Sequence, residues 1–184
     1  MDTILSALVP HASIAARNAI AKTLLRFGQR TLIYVAERGI TIRPLTRGQR
    51  YSDASTALAK LRIDVDAWPA PPAGLFVVEE RAAYLRSRSP MTIAHEFSHA
   101  FDCALGGGIY RSGIDPQIRA AFATATVFVT PYAATGLDEY FAECVRAYVE
   151  VNDPASFWPL ATRERLAKVD SVMHGVVARI FETV

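Results

Sequence analysis

The sequence predicts an α+β protein with a small mixed or antiparallel sheet, an edge strand and a helical C-terminal half. Two observations carry this prediction. Runs rich in β-branched and aromatic residues lie before Pro90, and apolar residues at helical spacing dominate after it. A third sets the scale: 184 residues, 51% apolar and 21% charged, with no internal repeat and no second apolar core, predict a single domain. Residues 1–90 form its helix-plus-sheet scaffold and 91–184 its helical part.

Taken in order, ILSALV and IAARNAIAKTLLRF repeat apolar residues at three and four and predict helix through about residue 27. TLIYVAERGITIRPL, 31–45, holds two β-branched runs around Glu37-Arg38-Gly39 and predicts a hairpin turned at the glycine. SDASTALAKLRI, 52–63, opens on capping residues and predicts a short helix, and DAWPAPPAG, 66–74, is a stiff proline-rich connector. GLFVVEERAAYLRSRSP, 74–90, predicts two strands around Glu79-Glu80. The second carries arginines outward, the pattern of an edge strand open to an added extended peptide.

After Pro90, Ile93, Phe97, Phe101 and Leu105 recur at steps of four and predict a helix over about 91–105, stopped by Gly106-Gly107-Gly108. A short helix near 116–125, a strong one over 136–152 and a last one from Ala161 complete the chain.

Composition narrows the partners. A net charge of +2 with no run of Lys or Arg excludes a nucleic-acid stripe; Arg81, Arg86 and Arg88, the densest positive group, suit a solvated strand or an acidic peptide. No stretch reaches the length of a membrane span. The first residues lack a basic region and break at Pro10, which predicts no Sec signal peptide; the chain is expected in the cytoplasm, exported by another route, or cut from a longer protein. Cys103 and Cys144 fall inside apolar helical patterns and are expected as reduced, buried thiols.

The chemistry lies in IAHEFSHAFD, 93–102. His95 and His99 are four residues apart, so on a helix both imidazoles face one ion. Glu96 sits about 100° round, placed to take a proton from the ion's remaining ligand. A catalytic zinc needs a third protein ligand. The position six beyond His99 is Leu105, so the ligand comes from elsewhere. His11 and His174 lie in terminal helices and read as exposed or core residues. Glu139 and Glu143 share a face of the 136–152 helix, so one can bind zinc while the other holds a ligating imidazole by its second nitrogen.

HEFSHAFD followed by PYAATGLDEYFAECVRAYV resembles the gluzincin-like zinc peptidase family of the anthrax lethal factor catalytic domain and the Pro-Pro endopeptidases. In that family a tyrosine precedes the ligating glutamate by seven positions, inside an E-[YF]-F-A-E segment. Tyr132 and Glu139 have that spacing. The resemblance covers roughly residues 92–103 and 131–147. It implies a zincin-like fold, one Zn2+ per chain held by His95, His99 and Glu139, Glu143 behind a ligand, Glu96 as general base, and Tyr132 donating to the oxyanion. Asp102 matches an acidic residue after the family's motif and either orients His99 or caps. Ser98 replaces a frequent glycine, and the first hundred residues carry no motif that aligns.

The expected activity is that of a zinc-dependent endopeptidase acting on a protein or peptide laid along the outer strand near residues 82–87, with a toxin or effector role implied by the relatives. Two rivals remain: an intracellular regulatory peptidase of the repressor-cleaving kind, and a non-catalytic zinc domain that binds a partner.

Overall fold

The computed structural model describes residues 1–156 and 159–184. Helices α1 (Asp2–Leu8), α2 (Ile14–Leu24) and α3 (Gln29–Ala36) precede strand β1 (Thr41–Pro44). Two short helices follow, α4 (Tyr51–Ala54) and α5 (Thr56–Leu61), then β2 (Gly74–Val77) and β3 (Ala82–Leu85). The remainder is helical: α6 (Pro90–Leu105), α7 (Arg111–Ile114), α8 (Pro116–Thr124), α9 (Leu137–Tyr148), α10 (Arg163–Val169) and α11 (Ser171–Thr183). The fold is α+β with a small mixed sheet, as the sequence predicts.

The sheet order is β1-β3-β2, with β1 parallel and β2 antiparallel to β3. Alternation along β3 assigns its faces. Ala83 and Leu85 join Ile42 and Phe76 in the main core against α6, while Ala82 and Tyr84 join Val77 in a smaller cluster under Tyr51 and Leu58. Every residue of β3 is buried, so the predicted edge strand is in fact the central one. Arg86 and Arg88 lie beyond its end, and the free edge nearer α6 belongs to β2.

The predicted hairpin over 31–45 is a helix and a strand. Thr31, Leu32 and Val35 bury one face of α3 against α1 and α6, and that burial overrides the β-branched preference of the segment. Gly39, at φ +69°, turns the chain into β1, where it pairs with β3 rather than with residues 31–36. Three other expected helices are each split. Ser55, whose hydroxyl accepts the Leu58 N–H at 3.1 Å, parts α4 from α5 within the helix expected over 52–63. Pro10 separates α1 from α2, and Asp170, whose Oδ1 accepts from Met173 N–H at 2.9 Å, ends α10 and caps α11.

Both cysteines are buried and free. Among the described residues, no helix is long and apolar enough to cross a membrane.

Candidate metal centre

Helix α6 begins where the sequence dictates. Ser89 accepts the Thr92 N–H at 3.2 Å, Pro90 occupies the first turn without losing a hydrogen bond, and Ile93, Phe97 and Phe101 bury the apolar face. The opposite face brings His95 and His99 together, their rings 4.7 Å apart and nearly perpendicular.

Three donor atoms converge. His95 Nε2 lies 3.1 Å from His99 Nε2, and Glu139 Oε2, reaching across from α9, lies 2.9 Å from the first and 3.4 Å from the second. Oε2 is buried yet has no aligned hydrogen bond. These separations are the edges of a face. A tetrahedral ion with bonds of about 2.0–2.1 Å sets its ligands about 3.3 Å apart, so two imidazoles and one carboxylate stand where zinc or a similar ion would be held. Electrostatics agrees. Burial disfavours a charged imidazole at His95, but the Glu139 and Glu143 carboxylates facing its two ring nitrogens outweigh it and raise its pKa to about 10. The carboxylates thus draw positive charge to this spot.

Behind His95, every bond of Glu143 is made. Its Oε1 faces His95 Nδ1 at 3.0 Å and accepts from Arg146 Nε at 2.8 Å; its Oε2 accepts from Arg146 Nη2 at 2.7 Å and from the Thr130 hydroxyl at 2.6 Å. Burial alone would raise its pKa, but Arg146 and His95 hold the carboxyl far below the usual range. Arg146 is only 1% exposed and also donates to the Val151 carbonyl at 2.9 Å. The α6–α9 contact is therefore polar at its centre, with the Glu143 carboxylate satisfied on both oxygens.

Glu96, 5% exposed, points away from this relay towards β2. Burial pushes its carboxyl upwards, countered by the imidazoles of His95 and His99 and by the Phe76 N–H. Tyr132 stands in the 3-10 turn Tyr132–Ala134, its O–H donating to Glu139 Oε1 at 3.1 Å and its ring 5.4 Å from that of His95. Burial, with the Glu139 carboxylate beside it, drives the phenol pKa well above its usual value, so the O–H stays a donor.

Asp102 serves neither imidazole. Its Oδ1 accepts the Ser112 N–H at 2.9 Å and its Oδ2 the Ser112 hydroxyl at 2.5 Å, tying α6 to α7, while His99 Nδ1 is buried without a hydrogen bond. His11 and His174 stand apart from the cluster, the first exposed and the second against the Tyr148 ring.

With the arrangement in view, known proteins can be compared. The chain is similar in fold to a Pro-Pro endopeptidase. That structure, PPEP-2 from Paenibacillus alvei, superposes with a TM-score of 0.66 over 96% of this chain and 99% of its own, at 20% identity. No protein-family profile matches the sequence, and no curated protein matches it.

Three residues at the centre go unread in the sequence. Arg146, at i+3 from Glu143, lies on the same helical face, and a buried glutamate needs such a partner; that spacing is the signal that points to it. Thr130 and Gly74 carry no local signal, because their importance comes from segments distant in the chain.

Proposed function

We propose that the chain is a single-domain zinc endopeptidase, its ion held by His95, His99 and Glu139. The convergence of three donor atoms at 2.9–3.4 Å beside a buried carboxylate carries the reading, and likeness in fold to an endopeptidase supports it. Zinc held there would acidify a water and polarise the scissile carbonyl.

Glu96 takes the proton of the attacking water and returns it to the leaving amine, a role suited to a carboxyl whose affinity for protons burial has raised. Tyr132 donates its O–H to the oxyanion that forms on the attacked carbonyl. Glu143 fixes the ring orientation of His95 and is itself fixed by Arg146.

The substrate lies along β2. Arg86 N–H bonds the Ala73 carbonyl at 2.9 Å, and the register places Gly74 opposite Leu85. Alternate residues of an antiparallel strand bond its neighbour, so Ala73, Leu75 and Val77 face β3 while the backbone groups of Gly74 and Phe76 face outward. A cleft of about 200 Å3 between Pro72–Gly74, Met91, His95 and Tyr132 opens beside that edge. An extended peptide paired with Gly74 passes its carbonyls by Glu96 and Tyr132.

The test is a cleavage profile on a proteome-derived peptide library, comparing zinc-loaded wild type with Glu96→Gln. Cuts made by wild type and lost in the variant, with zinc content equal, are expected. Zinc bound with no cuts by either protein would reject an endopeptidase and favour a zinc-holding interaction domain.

A further inference from the structure

A second concave region lies at the end of the sheet. Thr46, Arg47, Arg50, Asp66, Arg86 and Arg88 surround a pocket of about 620 Å3, so four arginines face one carboxylate. Asp66 accepts from the Tyr51 N–H at 2.8 Å and pairs with Arg86, whose guanidinium also lies 4.6 Å over the Tyr51 ring. Arg50 pairs with Asp64 outside the pocket. Arg47 and Arg88 form no ion pair with any described residue. Two arginines are thus held in place by internal partners, and two present their charge outward.

Topology places this charge beside the cleft. Strands β1 and β3 run parallel and end together, the Leu45 N–H bonding the Leu85 carbonyl at 2.8 Å just past their ends. Because β2 is antiparallel, its first residue, Gly74, stands at that same end. The carbonyl of Ala73, which lines the cleft, accepts from both Arg86 and Ser87 N–H at 2.9 and 2.8 Å. A peptide paired along the edge of β2 therefore leaves the cleft at the arginine end.

We infer that the pocket formed by Arg47, Arg50, Arg86 and Arg88 is a specificity subsite for acidic side chains on the stretch of substrate that leaves the cleft past Pro72 and Ala73. The inference rests on the peptidase reading for its context, but binding to the pocket is measurable without turnover. Planar guanidinium groups match carboxylates in pairs, and the unpaired Arg47 and Arg88 offer that match at no cost to an internal ion pair.

The experiment has two arms and one variant, Arg47→Glu/Arg88→Glu, both positions being exposed and outside the zinc centre. In the first, cleavage of the peptide library by wild type is expected to enrich Asp and Glu on one side of the cut about tenfold at low salt, with the enrichment gone in the variant and the residues flanking the cut unchanged. In the second, a fluorescent peptide of alternating Glu and Gly binds Glu96→Ala protein at low salt, and binding is lost when the charge reversal is added. Library cleavage with no acidic enrichment, or the same enrichment in the variant, overturns the subsite and leaves the peptidase standing. An absence of all cleavage counts against the peptidase, and the binding arm then decides the pocket: retained binding in the variant, or none in its parent, overturns it.

Discussion

A methyl group built on Gly74 would lie 2.4 Å from Cγ of Glu96 and 2.8 Å from its Cδ. The strand backbone and the proposed base occupy adjoining space, and only hydrogen on that Cα leaves room for the carboxyl. Gly74→Ala is expected to lower kcat about 100-fold by displacing Glu96, with zinc content and thermal stability close to wild type. Full turnover in that variant would show that Glu96 has another productive position.

Arg146 lines the floor of the cleft yet is predicted to matter chiefly for stability. Arg146→Met strips the buried Glu143 carboxylate of its guanidinium, leaving it only Thr130 and His95, and should cost about 3–5 kcal/mol in denaturant unfolding, with zinc affinity falling about 10- to 100-fold as the group that holds His95 is no longer fixed. The double variant Glu143→Gln/Arg146→Met removes that charge and should regain part of the stability. A double variant no more stable than Arg146→Met would contradict the electrostatic account.

Tyr132→Phe removes one donor and little volume. It should reduce kcat/KM about 100-fold while zinc binding stays as in wild type. Since the phenol pKa is driven upward, the wild-type donor survives mild alkali, and no loss of rate between pH 7 and 9 should trace to this residue. A variant with wild-type kcat/KM would remove Tyr132 from the mechanism.

Asp102 gives a pH prediction. Burial raises its pKa from 3.8 to about 6, with the two Ser112 hydrogen bonds opposing the rise. The folded state thus binds this proton more tightly than the unfolded chain, so the contribution is present below about pH 4 and lost as pH rises through 6. The size is about 3 kcal/mol. Unfolding of Asp102→Asn and wild type should accordingly diverge in favour of the variant between pH 4 and 7. Parallel curves would mean that the Ser112 contacts cancel the burial.

What could be read beforehand follows the range of the signal. Helix α6 was legible because its start, face and stop are written within 20 residues, from Ser89 to Gly108, and the turn joining β2 to β3 because Glu79 and Glu80 interrupt two apolar runs. The i,i+4 pairs His95/His99 and Glu139/Glu143 follow from helical period alone. Strand order was not legible. The β1–β3 pairing joins Thr41 to Ala82, and only that contact makes β3 central and β2 the edge. Helix α3 was hidden for a related reason, as Thr31, Ile33 and Val35 favour a strand until α1 and α6 supply a surface to bury against. Asp102 likewise found its partner in Ser112, ten residues away across the glycine turn, rather than in the imidazole one turn back.

The bond set around Glu143 joins α6, α9 and Thr130 through protein atoms only. Small zinc domains fold around their ion and collapse without it, because little else links the ligating segments. Here a buried arginine, a carboxylate and a large apolar core already hold the two helices in register. Chelation should therefore silence the chain without unfolding it, and returning the ion should restore it without a refolding step. On the proposed zinc chemistry, supply of the metal, rather than synthesis of new protein, would be the throttle on its activity.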